Sequence, residues 1–554
     1  MRQMELINEI VEARNFWEAW MSVRRNHGVA GIDKMPVEEL DVYLPVHMDE
    51  IKSSIVSKRY KPSPVRRVYP ELFIARKKRT LFLHVCRKIR NFEASNNQTV
   101  THVLMCKDTT ISRNEQGQID FFDLFEANKK VEVGFSAPEM TNLGGMCVLR
   151  RITKDDDFVG VLARKVREWR NPKFTEHTIK EMMDQRVLQI AAGYEDADDC
   201  DLLRKDGMMK LMVGRLPSGG DLCSQPTMTR LENHVQHKEL YDMGWAFVRH
   251  FVESYDKEPV KIILDLDDSN ANCYGAQQLS VFNGYYGEHC YMPLFIFEGF
   301  SGKLVVPILR PGRTNKRDNV AGLLIRLITY LRKFWPDTVI VVRGDGMFSS
   351  SEFMEWANGQ KNLHYVLGFS GNSRLSQRTA AWVARAEEQY RRTGQDVKVY
   401  HRFMYRATRW ERAQWIVVKI EFNAEGKNVR YVVTDMYHKP PRDVYANWYC
   451  KRGNCELYIK EMKDGLKAHR MSCGSFSANQ FRLFLHAAAY VILLEAKQKL
   501  FARNELLRNA TIITFRKRIL LHTARITELK TKIKIEFQRD NPMKDEILQA
   551  LTAA

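Results

Sequence analysis

Runs and alternations of apolar residues divide the chain into elements. Val260 to Asn270, VKIILDLDDSN, is an apolar strand that ends in carboxylates. With a period of two, Asp265 and Asp267 fall on one face, and Leu264, Leu266 and Asp268 on the other. HCYMPLFIFEG reads as a second strand and GKLVVPILRPG as a third, with Gly302 at the hairpin turn. NVAGLLIRLITYLRKFWP has helical period and ends at Pro336. DTVIVVRGDG is a fourth strand with Asp345 just past its end. A short helix, Ser350 to Ala357, leads to a fifth strand, LHYVLGFS. The predicted order is β-β-β-α-β-α-β.

The flanks are patterned differently. Upstream, helical periodicity runs from Cys147 to Trp169, and Thr175 is the expected N-cap of a helix that Gly193 stops. SQPTMTRLEN opens another helix, capped by Ser224 or Thr227. THVLMCKDTTIS, near residue 101, reads as a strand. Downstream lie a charged helix, Thr379 to Arg392, and three strand-like runs, VKVYHRFMYRAT, AQWIVVKIEF and VRYVVTDM, with turn glycines Gly394 and Gly426. ANQFRLFLHAAAYVILLEA is a nearly all-apolar helix, expected in the core. Near the C-terminus TKIKIEF alternates, with Lys532, Lys534 and Glu536 on one face and Ile533, Ile535 and Phe537 on the other. At the other end, Val37, Leu40, Leu44, Met48, Ile51 and Ile55 follow a helical period after a turn at Gly28 and Gly31.

One stretch organises the chemistry. In YCKRGNCELYIKEMK, Tyr449, Arg452, Glu456 and Lys463 stand at offsets that bring them into one narrow arc of a helix. An aromatic, a guanidinium, a carboxylate and an ammonium on one face suit phosphate contacts around a metal-holding acid. A solvated face with chance pairs such as Glu456 and Lys460 is the plainer reading. Asp267 and Asp345 supply carboxylates at strand ends 78 residues apart, and Glu456 follows 111 residues later. Two such aspartates and a helical glutamate make a hard oxygen site for two Mg²⁺ or Mn²⁺ ions. Asp265 shares the face of Asp267 and is the runner-up for the first acid. Asp196, Asp198, Asp199 and Asp201 form a further acidic cluster, expected to be a solvated loop.

Composition narrows the partners. The chain has 554 residues and a formal charge of +19, spread along its length, which favours a polyanion and nucleic acid first. The longest apolar run, Leu483 to Leu494, is too short to span a bilayer. The ten cysteines include no CxxC pair, and Cys450 and Cys455 have no second pair to complete a zinc site. Reduced thiols in a cytoplasmic protein are expected.

The spacing Tyr-x2-Arg-x3-Glu-x6-Lys resembles the signature of DDE transposases from bacterial insertion sequences, in which the Glu is the third catalytic acid. The element order resembles a ribonuclease-H-like α/β fold, and residues 373–440 resemble the β-rich insertion of the insertion-sequence 4 superfamily. GYEDADDCDLLR, SQPTMTRLEN, LDLDDSN, FNGYYGEHCYMPLFIF, LRPG, VRGDGMF and ANQFRLFLHAAAY are similar to the insertion-sequence 1380 family. That resemblance implies a DNA transposase cutting and joining at terminal inverted repeats of double-stranded DNA, as a homodimer, with catalytic and metal-holding Asp267, Asp345 and Glu456. It also implies DNA contacts from Tyr449, Arg452 and Lys463. Asp267-Asp268-Ser269 fits the family's Asp-x-Thr/Ser pattern, which favours Asp267 over Asp265. GVAGID and YKPSPVRRV, by contrast, resemble the N-terminus of group II intron and retron-type reverse transcriptases.

The expected organisation is a fusion fragment over 1–68, a basic linker over 69–96 and a mostly helical DNA-binding region over 97–259. The core spans 260–372 and 441–500 around the insertion at 373–440, and 501–554 is a basic tail. Two rivals stand beside the transposase: a catalytically inactive DNA-binding descendant, and a reverse transcriptase or maturase remnant. The second lacks polymerase acids, since Tyr194-Glu-Asp-Ala-Asp-Asp199 has the wrong spacing.

Overall fold

A computed structural model describes residues 47–51, 53, 119–120, 132–133, 135–313, 320–408 and 410–552. The chain forms two compact units, Met1–Gly134 and Phe135–Ala554. In the first, residues 47–51 are helical, within the predicted periodic stretch, and Ile119–Asp120 pairs antiparallel with Glu132–Val133. The remainder of the reverse-transcriptase-like segment, the basic linker and the strand near residue 101 lie outside the described residues.

The second unit is built on an eight-stranded sheet. Its strands in chain order are β1 (Lys261–Asp268), β2 (Leu294–Glu298), β3 (Leu304–Ile308), β4 (Val339–Gly344) and β5 (Leu363–Phe369). They are followed by β6 (Val397–Tyr405), β7 (Gln414–Asn423) and β8 (Gly426–Thr434). The spatial order is β6-β7-β8-β5-β4-β1-β2-β3. β1, β4 and β5 run parallel, with Arg343 opposite Asp265 and Gly344 opposite Leu266. β2 is antiparallel to β1, and β3 to β2. The order 3-2-1-4-5 within the sheet is that of the ribonuclease-H-like fold. Gly302 turns the β2–β3 hairpin at φ +71° with the Tyr458 ring packed against it, so no side chain fits there.

The insertion does not stand apart. β8 pairs antiparallel with β5, from Val366–Thr434 to Phe369–Tyr431, so three strands extend the same sheet. Apolar alternation in VRYVVTDM explains the join, because Val432 faces Val366 and Ile263 while Val433 faces the opposite core.

The described helices include α1 (Ile179–Ala192), α2 (His237–Glu253), α3 (Val320–Leu331), α4 (Ser373–Thr393), α5 (Gly453–Lys460) and α6 (Phe476–Glu495). α6 is buried almost all round, as its composition predicts. Each of its larger polar residues finds one partner: the Gln480 side-chain oxygen accepts from the Leu309 amide, Arg482 pairs with Glu232, and His486 Nδ1 donates to the Leu466 carbonyl, while Arg482 Nε and His486 Nε2 are buried without one among the described residues. α1 and α2 pack on α6, and α2 also on β3, which carries the helical region across one face of the sheet.

Several predicted boundaries move. The helix expected from Cys147 to Trp169 breaks at Asp156–Asp157, where the Asp157 side chain caps a new helix at Gly160 N. Thr178, not Thr175, caps α1, its hydroxyl accepting from Glu181 N, and Gly193 ends it. The single strand expected at HCYMPLFIFEG splits at Met292–Pro293. Glu288–Tyr291 joins Val281–Asn283 and Ala271–Asn272 in a separate small sheet, and β2 begins after the proline, which has no N–H to donate. The boundary at 500–501 is not one in space. Arg516 donates to the carbonyls of Ile190, Ala191 and Gly465, and Ala524–Glu528 pairs with both Ile533–Phe537 and Met140–Thr141. The alternation of TKIKIEF thus belongs to a three-stranded sheet. Nor is the acidic cluster at 196–201 wholly solvated. Arg186 donates to the Glu195 and Asp196 carbonyls, and Arg470 and Arg482 reach the Asp196 carboxylate at 3.3 and 3.6 Å.

Candidate active site

Three carboxylates line the end of β1, and arginines sort them. Asp265 and Arg343 are sealed from water and joined by two hydrogen bonds of 2.5 Å, Nε to Oδ1 and Nη2 to Oδ2. Arg343 Nη1 donates to the Trp448 carbonyl, so the pair also fixes the chain entering the Tyr449 segment. Burial pushes Asp265 up to about 6, and the opposing arginine holds it from rising further. Asp268, on the opposite face, pairs with Arg310 at 2.5 Å. Asp267 has the looser partner, Arg452 Nη1 at 3.3 Å. Burial drives Asp267 up to about 7; Arg452 opposes the shift, and Asp345 and Asp268 add to it.

Asp345 stands where the sequence places it, one residue past β4. Its Oδ1 accepts from Met347 N at 2.9 Å and so caps a short 3₁₀ turn, Gly346–Phe348. Gly368 of β5 lies against this turn. A methyl at its Cα would come within 2.7 Å of both Gly346 N and the Tyr449 hydroxyl oxygen, so glycine lets Tyr449 sit beside Asp345.

The Tyr449–Lys463 stretch is helical but irregular. A π-type segment, Val444–Tyr449, tightens to a 3₁₀ turn at Cys450–Arg452, becomes α5 and widens again at Glu461–Gly465. The uniform helix expected from the spacing is therefore corrected, and such departures often mark functional positions. Cys455 and Ile459 bury one side of α5 against β1 and β2. Glu456 points outward, 62% exposed, with Arg452 Nη2 3.5 Å from its Oε1. Arg452 also lies over the Tyr449 ring at 5.9 Å. Lys463 donates to Ser269 Oγ, the Asn270 carbonyl and Asn270 Oδ1 at 3.0–3.2 Å, tying the helical stretch to the end of β1.

Asp267, Asp345, Tyr449, Arg452 and Lys463 therefore gather at one end of β1 and β4, whereas Glu456 is joined to them through Arg452 and the three acids do not bring their oxygens within 4.8 Å of one another. The Arg452 guanidinium reaches both Asp267 and Glu456. The donor chemistry suits a divalent cation: Asp267 and Asp345 are neighbouring half-buried carboxylates whose mutual repulsion a cation relieves. A different group has its ligand atoms within 4.8 Å of one another: Asp156, His250 and Glu495, in the helical region. There His250 faces Asp156 with Nδ1 at 3.6 Å and Glu495 with Nε2 at 3.0 Å, a polar staple between α2 and α6.

Sequence reasoning missed Arg343 and Arg310. The signal was present, since an arginine inside VIVVRG has to be matched if it is buried. It also missed Gly368, whose role depends on a contact between distant elements.

Residues 125–554 match the family described as Transposase DDE domain group 1. No curated protein matches the chain. Among solved structures, a piggyBac transposase synaptic complex with hairpin DNA is similar at 11% identity and a TM-score of 0.39, covering 69% of this chain and 82% of that one. With the family matched over most of its length, the chain belongs to the DDE transposases.

Proposed function

We propose that the protein is a DNA transposase of the insertion-sequence 1380 type, which cleaves and joins the ends of its element, and that Asp267, Asp345 and Glu456 are its catalytic acids. One observation carries this reading. Asp267 and Asp345 close two adjacent parallel strands, and Arg452 links Asp267 to the helix that carries Glu456. The buried pairing of Asp265 with Arg343 supports Asp267 as the first acid.

The three acids would hold two Mg²⁺ or Mn²⁺ ions, which supply Lewis-acid stabilisation of phosphoryl oxygens and of the attacking hydroxyl when bound. The protein's own residues bind and orient the strand. Arg452 exchanges its carboxylate partners for a phosphate, which its planar fork grips at two points. Tyr449, held beside Asp345, contacts the strand through its ring or hydroxyl. Lys463 fixes Ser269 and Asn270 and adds positive charge beside the phosphate path. Water attacks phosphorus at the element's end and the 3′-oxygen leaves as a hydroxyl. That hydroxyl then attacks a target phosphodiester, whose own 3′-oxygen leaves. Double-stranded terminal repeats and target DNA are the substrates, and a homodimer holds two ends. The N-terminal fragment is a fusion scar outside this chemistry.

The test is a nicking assay on the DNA that flanks the gene, in Mg²⁺ and in EDTA. Metal-dependent nicking at the element boundary supports the reading; binding without nicking leaves an inactive descendant.

A further inference from the structure

α2 has an inner and an outer face of different character. Inward, Phe247 stacks on Phe484 of α6 at 5.3 Å, and Phe251 is sealed against Trp335. Outward, Lys238, Tyr241, Asp242, Trp245, Arg249 and Glu253 fall within an arc of about 120°, taking about 100° per residue. A row of rings runs from this face onto α3. Tyr241 meets Trp245 at 6.3 Å, Trp245 meets Tyr330 at 4.8 Å, and Tyr330 meets Phe334, just past the helix, at 5.3 Å. Both ends of the row are open to water, Tyr241 57% and Phe334 48% exposed. Lys333 Nζ lies over the Tyr330 ring at 5.9 Å. Touching rings with exposed ends make an apolar patch of the kind that marks an interface.

The charges around the rings have a two-fold pattern. Lys238 and Glu253 lie equally far from the midpoint between Trp245 and Ala246, and so do Asp242 and Arg249. In each pair the signs are opposite. A second α2 running antiparallel across that midpoint sets Lys238 against Glu253 of the partner subunit, and Asp242 against Arg249 of the partner subunit. The symmetry repeats both contacts. Within one chain Arg249 Nε already donates to Glu253 Oε1 at 2.7 Å, with both side chains more than half exposed. The antiparallel pair therefore completes a row of alternating charges across the two copies. At a shallow crossing of about 20°, two helices stay close enough over about four turns for such long side chains to meet. A parallel pair in register sets each charge beside its like. A nucleic acid fits the face poorly. Asp242 and Glu253 cancel Lys238 and Arg249 there, in a chain whose overall charge is +19, so a phosphate backbone meets as many anions as cations on α2.

We infer that the outer face of α2, with the adjoining Tyr330 and Phe334 rings, is the surface through which two copies of this chain pair about a two-fold axis near Trp245. The inference deepens the transposase reading and rests on it for the purpose of the pair, two active sites acting on two element ends. The rings supply the buried area and most of the affinity. The charges add little affinity in water and instead set direction and partner, because an antiparallel copy matches every sign and a parallel one none. A two-fold contact uses the same patch on both copies and leaves neither with an open one, so pairing stops at two.

The test is sedimentation velocity of the full-length protein without DNA, in moderate salt. Wild type is expected to run as a dimer. Lys238→Glu and Glu253→Lys, each alone, set like charges together at both ends of the seam and are expected to weaken pairing about ten-fold. Both changes suit the dipole of their helix, an acid near its start and a base at its end, so melting temperatures should hold. Mixed in equal amounts, the two variants present opposite signs at every contact and are expected to pair as tightly as wild type. That recovery requires contact between copies and cannot come from repair within one chain. A monomeric wild type, a dimer indifferent to both reversals, or two variants that stay apart when mixed overturns the seam. So does a loss of DNA affinity in Lys238→Glu with the dimer intact, which gives the face to a nucleic acid. Nicking of an element end is measured on the same samples. A monomer that nicks overturns the seam and leaves the transposase reading; a dimer with the expected charge behaviour that never nicks overturns that reading and leaves the seam.

Discussion

Arg343 and Asp265 face each other across β4 and β1 as a bidentate pair with no access to water. Two positions further along β1, the carboxylate of Asp267 has no comparable clamp. The two aspartates share a face of one strand and differ in surroundings, because only Asp265 is clamped by a buried arginine.

Asp265→Asn is therefore expected to act on folding. It leaves the Arg343 charge buried and uncompensated, a loss of about 3–5 kcal/mol. Asp267→Asn is expected to keep the wild-type melting temperature or raise it, and to abolish nicking. Thermal melts and nicking per folded molecule decide the matter. A folded, inactive Asp265→Asn beside an active Asp267→Asn would move the first acid by two residues.

Glu456→Gln is expected to abolish nicking in Mg²⁺ and leave DNA affinity within a few-fold of wild type. An amide is a far poorer ligand for a hard cation than a carboxylate. Glu456 is exposed, so folding has little stake in it. Nicking close to the wild-type rate would remove it from the triad.

Affinity for DNA is expected to fall linearly with the logarithm of salt, with a slope of about −0.9 per phosphate neutralised. Arg452→Ala should reduce that slope by about one unit. Lys463→Ala should change it less and lower the melting temperature instead, because its ammonium bonds three oxygens of Ser269 and Asn270. Titrations at three salt concentrations on both variants separate the roles. A flat salt dependence in the wild type would speak against DNA as the substrate.

Stability should carry a pH signature from the start of β5. His364 Nδ1 lies 2.7 Å from Asp435, and that carboxylate raises the imidazole above its ordinary value. A raised folded pKa means that the folded state holds the proton more firmly. The contribution is complete below about 6.5 and is lost as pH climbs through the raised value. His364→Gln should therefore lower the melting temperature at pH 6 more than at pH 9. Equal losses at both would show that the pair is not ionic.

Much of this was legible because it is local. Short apolar runs located β1 and β4, and the carboxylates at their ends followed from position alone. What the sequence could not give was partnership. Asp265 and Asp267 look alike in LDLDD, and only the arrival of Arg343 from a strand 78 residues away distinguishes them. The irregular helix around Tyr449 was hidden for a related reason. Its residues Val444 and Tyr445 pack in one cluster with Val366, Val417 and Val432, contacts from distant strands that the local sequence does not reveal. Pro293 did carry a visible signal, since a proline inside HCYMPLFIF argues against one continuous paired strand.

The three strands that extend the sheet between Asp345 and Glu456 also set an order of events during synthesis. Glu456 leaves the ribosome 111 residues after Asp345, on the order of ten seconds later. In that interval β1 to β5 can pair and the two aspartates can meet, and β6 to β8 then add to an edge that already exists. On the proposed assignment, a half-made chain is a folded sheet with two of its three acids. It becomes a nuclease only after the last of those strands has emerged.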